Sequence, residues 1–160
     1  MFTIRKAKET DIFSVRRMLK EANINDMGID QHIQHFFVVE VHAEEVDGED
    51  VKAQMVGAVG MEVYKPYGLL RSFVLDRASW KSEIGLKMVE ILLMYAEDKD
   101  LEQVYLFAGA SSAFFEQIGF AKTTVSELPA EILESDHLKR TIHNGIPMMY
   151  KCHATKLQKK

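Results

Sequence analysis

Hydrophobic residues along the chain follow two different spacings, and each spacing predicts one type of secondary structure. Apolar positions three and four residues apart predict a helix from Asp11 to Ala22, capped by Thr10 or Asp11, and a longer helix between Ser79 and Asp98. Runs of β-branched and aromatic residues instead predict strands. These strands are Phe2–Arg5, Phe36–His42, Ala53–Tyr64, Leu69–Leu75 and Val104–Phe107.

Turn residues and helix stops complete the pattern. Asp47-Gly48 favours a turn between two antiparallel strands, and Gly119 is expected to end a helix over Ser111–Ile118 in the left-handed conformation. The remaining predicted elements are a short helix near His32, a strand over Phe120–Val125, a helix over Pro129–Ser135 and an edge strand over Met148–Cys152. This order predicts an α/β fold: a mixed sheet whose antiparallel first half continues into a βαβ unit, with Leu69–Leu75 at the centre.

Length and composition favour an ordinary globular domain. The chain has 160 residues, of which 47% are hydrophobic and 28% are charged. We therefore expect a single domain over residues 1–160, with a frayed tail over 154–160. A domain of this length does not need disulfides or a structural metal to fold.

Net charge and cysteine content limit which classes of partner and which cellular compartment we expect. Twenty Lys and Arg residues against 24 Asp and Glu residues give a net charge of -4, which predicts neither nucleic acid nor a membrane as partner. A single cysteine, Cys152, cannot form an internal disulfide, and the N-terminal residues lack the apolar segment of a secretion signal. The expected location is cytoplasmic.

The histidines do not follow the spacing of a metal site, and no metal is predicted. His32 and His35 share one predicted helix face, which we interpret as a solvated face. His137, His143 and His153 show no zinc-site periodicity. The sequence also lacks a Ser-His-Asp arrangement, a Walker loop and a dinucleotide fingerprint, which argues against hydrolases and nucleotide kinases.

Three strings, in their order and spacing, resemble a known family. The strings are Leu69-Leu70-Arg71-Ser72, Phe114-Phe115-Glu116 and Leu128-Pro129-Ala130-Glu131. Together with Gly119-Phe120 they are similar to the GNAT superfamily of acyl-CoA N-acyltransferases. The similarity is greatest to the branch related to the acetyltransferase domain of N-acetylglutamate synthases, and it covers most of the chain.

The resemblance implies the GNAT fold, acetyl-CoA as cosubstrate and a primary amine as acceptor. It implies that the central strand and the next strand splay apart, so that the pantetheine arm adds to Phe73, Val74 and Leu75 like an extra strand. The following turn would hold the pyrophosphate at a helix N-terminus. The residues of this turn are Trp80, Lys81, Ser82, Glu83, Ile84 and Gly85.

The sequence departs from the family in the pyrophosphate turn and at the position of the tyrosine acid. Only Gly85 remains of the family's glycines in the pyrophosphate turn, and Glu83 adds a negative charge there, while Lys81 and Ser82 offer compensating contacts. Trp80 either stacks on the adenine or covers the edge of the core. Phe115 stands where many relatives carry the tyrosine that protonates the leaving thiolate.

Candidate chemical groups lie on the central strand and the strand before it. Glu62 and Tyr64 are two residues apart, so both side chains face one side of the sheet, and they are the predicted catalytic residues. Glu62 is the candidate general base, directly or through water, or else a carboxylate paired with Arg71 or solvent. Arg71 binds an acceptor carboxylate, or pairs with Glu62 or Asp76; Tyr67 is expected to line the acceptor pocket.

The sequence therefore predicts an N-acetyltransferase that acts by direct attack of an amine on acetyl-CoA. The altered pyrophosphate turn keeps a second hypothesis open, a catalytically inactive GNAT-like module for binding or dimerisation. A third hypothesis is a different acyl donor or a non-nucleotide ligand in the same cleft. Nine methionines are compatible with a homodimer surface, although most are expected in the core.

Overall fold

The computed structural model describes residues 2–42, 53–76, 83–138 and 145–153. Seven strands form one mixed sheet in the spatial order β1-β2-β3-β4-β5-β7-β6. The strands are β1 (Phe2–Lys6), β2 (Phe36–Val41), β3 (Gln54–Tyr64), β4 (Tyr67–Leu75), β5 (Gln103–Ala108), β6 (Ala121–Lys122) and β7 (Ile146–Lys151). The helices are α1 (Ile12–Glu21), α2 (Ile29–His32), α3 (Ile84–Asp98), α4 (Ser112–Ile118) and α5 (Ala130–Leu133).

The predicted α/β architecture is confirmed, with β4 at the centre of the sheet. The chain divides into two compact units, the first formed by Met1–Gly60 with Ser72–Val89, the second by Met61–Arg71 with Glu90–Lys160. No helix among the described residues is long and apolar enough to cross a bilayer.

The first unit is built on three antiparallel strands covered by α1. Pairing of β1 with β2, and of β2 with β3, is antiparallel. The amphipathic spacing of α1 places Val15 and Leu19 in the core. They pack in one cluster with apolar side chains from α2 and the sheet, including Ile29, Phe36, Val38, Ala58 and Val74.

The predicted cap of α1 is wrong in its chemistry. Asp11 stands at the N-cap position, but its side chain makes no capping hydrogen bond to the helix. It accepts instead from the backbone N–H of Lys8 at 2.8 Å and from Arg5 at 2.8 Å. Arg5 also donates to Glu40 at 2.9 Å, so the carboxylate of Asp11 is committed to a network that links β1 and β2.

The second unit contains the parallel pair β4 and β5 and the antiparallel strands β7 and β6. Two predictions fail here. The predicted strand over Phe120–Val125 is reduced to Ala121–Lys122, because Val125–Glu127 forms a 3-10 turn. The predicted edge strand near Met148 lies inside the sheet, because β7 pairs with β5 on one side and β6 on the other.

Helix boundaries agree with the sequence where stop signals are strong. Gly119 follows α4 with a φ of 126°, and its N–H donates to the carbonyls of Phe115 and Glu116, which confirms the predicted glycine stop. The long helix α3 begins at Ile84 rather than near Ser79; residues 79–82 lie outside the described part of the chain, as does the predicted turn Asp47-Gly48.

Candidate active site

A polar cluster within the second unit joins strands β3 and β4. The side chains of Glu62 and Tyr64 point to the same face of β3, as the two-residue spacing predicts, and the Tyr64 hydroxyl donates a hydrogen bond to Glu62. Arg71 of β4 donates to the other carboxylate oxygen of Glu62 at 2.7 Å. The three side chains therefore act as one hydrogen-bonded unit centred on the Glu62 carboxylate.

Arg71 and Glu62 form an ion pair whose side chains are both 0% exposed. For each of these residues we predicted either a chemical role or a pairing with another charged group. The structure shows that Arg71 and Glu62 pair with each other. A charge that is removed from water needs a partner of opposite sign, and each member of this pair supplies one to the other. Two side chains contact the Glu62 carboxylate. Arg71 is fully buried and Tyr64 is half-buried, so Tyr64 is the more exposed of the two.

Burial and the Glu62 contact together keep the Tyr64 phenol protonated. Desolvation raises the pKa of Tyr64 well above its usual range, and the hydrogen bond to Glu62 raises it further. The Tyr64 oxygen also accepts a weak hydrogen bond from the backbone N–H of Asp136 at 3.4 Å. Tyr64 thus connects the end of β3 to the segment that follows α5.

The segment after α5 brings a histidine toward the ion pair. Burial lowers the pKa of His137 to about 4, and the positive charge of Arg71 lowers it as well, while Glu62 opposes the shift. His137 is therefore a neutral imidazole at pH 7. Next to it, Ser135 is buried and its hydroxyl accepts from the N–H of Leu138 at 3.3 Å.

Tyr67, predicted to line an acceptor pocket, lies in an apolar cluster of the second unit. Its ring meets Tyr105 edge to face, with centroids 6.2 Å apart. The cluster also contains buried side chains from α5 and its flanks, namely Leu128, Ile132 and Leu138. Tyr67 is half-buried.

Parallel pairing between β4 and β5 is short. It joins Tyr67–Leu69 to Gln103–Tyr105 and stops there, although β4 continues to Leu75 and β5 to Ala108. The resemblance predicts that these two strands separate beyond a short paired region.

The residues predicted to bind the pantetheine arm lie at the end of β4 in the first unit. Val74 and Leu75 are buried and Phe73 is half-buried. Val74 and Leu75 form part of the wall of an open cavity of about 680 Å³, which also includes residues of α1 and the start of β3. The Asp76 N–H donates to the Val56 carbonyl at 2.7 Å and holds β4 against β3 there.

The predicted pyrophosphate turn is described only in its second half. Trp80, Lys81 and Ser82 lie outside the described residues. Glu83 is exposed, and its carbonyl accepts from the N–H of Lys87 at 2.9 Å, which is the hydrogen bond of a first helical turn. Ile84 and Gly85 are buried in the opening turn of α3.

Phe115, at the position of the family's acid, is an apolar core residue of the second unit. It is 3% exposed and packs edge to face with Phe114 and Phe120 at centroid distances of 5.1 and 5.7 Å. Because phenylalanine has no hydroxyl, this position offers no acid.

Two histidines, His32 and His35, are less exposed than the pattern predicts, whereas Cys152 agrees with its prediction. His32 ends α2 and His35 lies in the next 3-10 turn, and both are half-buried, so the prediction of a solvated helix face is wrong. Cys152 is half-buried as predicted, and burial raises its pKa to about 11.

Sequence reasoning missed His137 and Asp136 as neighbours of the cluster, and Arg17 and Met18 as cavity residues. The segment from Ser135 has no clear periodicity, so no local signal connects it to β3. The α1 residues carry a helical pattern, but this pattern reports only which face is buried and not what the other face covers.

No protein-family model matches the chain, and no curated protein matches it significantly. Solved structures do. N-acetylglutamate synthase from Neisseria gonorrhoeae, complexed with coenzyme A and L-arginine, has a TM-score of 0.73 at 15% identity; the match covers 95% of this chain and 33% of that one. This chain therefore spans about a third of that synthase.

Two shorter proteins match over their whole length. Rv2747 from Mycobacterium tuberculosis, in complex with CoA and NLQ, has a TM-score of 0.71 at 20% identity, with 94% and 99% of the two chains covered. A GNAT family acetyltransferase from Staphylococcus aureus has a TM-score of 0.71 at 14% identity, with 96% and 100% covered. The mixed sheet with its flanking helices is the GNAT fold.

Proposed function

We propose that this chain is an acyltransferase that moves an acetyl group from acetyl-CoA to a primary amine of a small molecule or peptide by direct attack. The single observation that carries the proposal is the end of the β4–β5 ladder at Leu69 and Tyr105, while both strands continue. In this proposal the extended, amide-bearing donor lies alongside β4 beyond this point. The solved structures with this fold that contain CoA support the same donor.

The donor residues in this proposal are those named from the resemblance. Phe73, Val74 and Leu75 hold the pantetheine chain, and the turn over residues 80–85 with Phe115 holds the rest of the carrier. Exposed Glu83 disfavours a diphosphate close to it, so Lys81 and Ser82 are assigned the phosphate contacts.

The acceptor's proton leaves through Tyr64 and Glu62 in this mechanism. When the amine attacks the thioester carbonyl, the new C–N bond forms and the nitrogen becomes acidic. Its proton passes to the Tyr64 oxygen while the Tyr64 proton moves to Glu62, along the hydrogen bond already present. The intermediate then expels the CoA thiolate, which takes a proton from solvent, and Glu62 returns its proton to solvent through Tyr64, which restores the enzyme. Arg71 donates to the other Glu62 oxygen at 2.7 Å and so holds the carboxylate in place for this relay.

Acetyl-CoA with a panel of primary amines tests the proposal through release of free CoA thiol. We expect amine-dependent release that falls by about 10²–10⁴-fold in Glu62→Gln, the range of general base catalysis. Because this variant leaves Arg71 buried without its counter-ion, the double variant Glu62→Gln with Arg71→Met is measured beside it. Glu131→Gln, an exposed carboxylate of α5, is the matched control and is expected to retain full activity.

A folded protein that binds acetyl-CoA but releases no thiol with any amine would favour the second candidate, an inactive binding module. The full burial of the Glu62–Arg71 pair is the observation that favours this candidate, because such a pair also serves stability alone. A folded protein without measurable affinity for CoA or acetyl-CoA would overturn both the donor and the reaction.

A further inference from the structure

A second carboxylate lies close to the Tyr64 hydroxyl, on the segment that follows α5. A carboxylate oxygen of Asp136 and one of Glu62 lie within 4.8 Å of each other. The backbone N–H of Asp136 donates to the Tyr64 oxygen at 3.4 Å, and the negative charge of Asp136 contributes to the raised pKa of Tyr64. Two carboxylates are therefore close to the hydroxyl that takes the acceptor's proton in the proposed mechanism.

The positive charge in this part of the second unit is already used. Arg71, the residue that the sequence offers as a partner for an acceptor carboxylate, pairs with Glu62 at 2.7 Å. His137 is a neutral imidazole at pH 7, because burial and the charge of Arg71 lower its pKa to about 4. Together, Glu62, Tyr64, Arg71, Asp136 and His137 carry two carboxylates against one guanidinium, and that guanidinium is paired.

This balance of charge discriminates between two classes of acceptor. An amino acid carries a carboxylate beside its amine, and here that carboxylate would approach Glu62 and Asp136 while Arg71 is already paired. An alkylamine brings only an ammonium group, which donates charge-assisted hydrogen bonds to carboxylate oxygens. The arrangement therefore favours an acceptor without a carboxylate beside its reacting nitrogen.

Two neighbouring tyrosines provide a surface for the rest of such a molecule. Tyr64 and Tyr67 pack against the same apolar cluster of the second unit, which contains Leu69, Leu128 and Ile132, and both tyrosines are half-buried. Aromatic rings pack well against methylene groups, and they attract a cation that lies over the ring face. An aliphatic chain next to an ammonium group matches this combination of apolar and acidic side chains.

We infer that the acceptor is a cationic alkylamine without a carboxylate beside its reacting nitrogen, and that Asp136 binds its ammonium group. The inference rests on the proposed function and deepens it by naming the class of acceptor. The ammonium ion donates to Asp136 when it binds, and it then loses one proton to solvent. The neutral amine forms the new C–N bond as the C–S bond of the donor breaks. Its second proton leaves through Tyr64 and Glu62, and the thiolate is protonated by solvent.

A matched pair of acceptors tests the inference on the wild-type protein. Pentylamine and norleucine have the same alkyl chain and differ in the carboxylate beside the amine. We expect kcat/KM for pentylamine to exceed that for norleucine by about 10–100-fold; the upper value corresponds to two like charges about 6 Å apart at an effective dielectric of about 20, and screening lowers it. The amine of norleucine is the less basic of the two, so a larger neutral fraction works against this expected preference.

A neutral derivative of the amino acid separates charge from size. Norleucinamide has nearly the size of norleucine but carries an amide in place of the carboxylate. We expect norleucinamide to be a substrate, because it brings no negative charge toward Glu62 and Asp136.

The variant Asp136→Asn removes the charge and retains the backbone N–H that donates to Tyr64. KM for pentylamine is expected to rise about tenfold with little change in kcat, because the lost contact is made to the bound ammonium ion. The preference for pentylamine over norleucine is expected to fall by about tenfold as well. A structural role for Asp136 would instead change both acceptors alike and leave their ratio unchanged. Thermal unfolding establishes that the variant folds.

The same segment provides a matched control. Glu134 lies two residues before Asp136 and its side chain is exposed. Glu134→Gln removes one negative charge from this segment, as Asp136→Asn does, but at a position on the surface. It is expected to leave KM and the ratio between the two acceptors unchanged.

The contradicting results differ in what they leave standing. Equal or faster transfer to norleucine would refute the acceptor class while the acetyltransferase proposal stands. Rejection of norleucine and norleucinamide alike would show selection by size and would also refute it. An unchanged ratio in folded Asp136→Asn would remove Asp136 from the acceptor site. A folded wild-type protein that transfers acetyl to no amine would refute the proposed function together with this inference.

Discussion

Arg71 and Glu62 are joined by a 2.7 Å contact between a guanidinium nitrogen and a carboxylate oxygen, with both side chains fully buried. Each charge therefore depends on the other inside the second unit, whatever chemistry takes place beside them. Breaking one partner leaves the other as a buried charge, which is far more costly than the pair itself is stabilising.

Arg71→Met is expected to lower the free energy of unfolding by about 3–5 kcal/mol, because Glu62 is left as an uncompensated buried anion. Urea unfolding followed by circular dichroism measures the change. The double variant Arg71→Met with Glu62→Gln is expected to recover most of the loss, since the amide still accepts from Tyr64 and carries no charge.

The surface pair of Lys122 and Glu116 is the control for this prediction. Its atoms are 3.9 Å apart and its side chains are about half exposed. Lys122→Met is expected to cost less than about 1 kcal/mol. Equal costs for the two single variants, or no recovery in the double variant, would contradict the role given to burial.

Acid is expected to destabilise the protein through His137. Its folded pKa of about 4 is below the ordinary histidine value of about 6.5, so between these values the unfolded state binds more protons. The free energy of unfolding contributed by His137 is therefore complete above pH 6.5 and is lost as pH falls toward 4. His137→Gln is expected to flatten this part of the stability profile, by roughly 2–3 kcal/mol between pH 7 and 4.

Urea unfolding at several pH values compares the wild type with His137→Gln. The comparison isolates the histidine, because other titrating groups contribute to both proteins. His153→Gln, at an exposed histidine, is the control and is expected to leave the slope unchanged. Parallel profiles for wild type and His137→Gln would show that His137 is not buried as a neutral group.

Glycine at position 60 is required by close packing across β2 and β3. Gly60 pairs with Phe36, and a Cβ on Gly60 would lie 2.2 Å from the Phe36 ring. Gly60→Ala is expected to lower the free energy of unfolding by about 1–3 kcal/mol through overpacking. At Gly109 an added Cβ meets nothing within 4 Å, so Gly109→Ala is expected to be tolerated. Thermal melts of both variants measure the difference.

Cys152 is expected to react slowly with alkylating reagents near neutral pH. Burial raises its pKa to about 11, so the reactive thiolate is a very small fraction of the thiol at pH 8. The rate of reaction with iodoacetamide is expected to rise with pH well beyond the usual cysteine range of about 8–9. The same protein in urea is the reference, and equal rates in the folded and unfolded states would contradict the burial of the thiol.

Elements with strong local signals could be predicted from the sequence. The spacing of Val15 and Leu19 predicts the buried face of α1, and the apolar run at Leu69–Leu75 predicts the central strand. The glycine stop at Gly119 follows from backbone freedom at one residue. Each of these depends only on neighbours in the chain, which is why the pattern alone is sufficient.

Local patterns could not predict where a strand lies in the sheet or which group a polar side chain contacts. Met148 carries the same signal in an edge strand as in an inner one, and only the order of β5, β7 and β6 places it inside the sheet. Asp11 has the chemistry of a cap for α1, but its carboxylate accepts instead from the Arg5 side chain and from the backbone N–H of Lys8. Contacts that the local pattern does not encode decided both.

The amino-acid pattern by itself determined the mixed α/β architecture and the shared face of Glu62 and Tyr64, since both follow from periodicity and residue order, while three short residue strings carried the resemblance to the GNAT superfamily. Only the tertiary structure decided that Arg71 neutralises Glu62, that His137 is held neutral beside them, and that Arg17 borders a cavity. These are consequences of desolvation and of contacts between segments far apart in the chain, neither of which a local sequence pattern encodes.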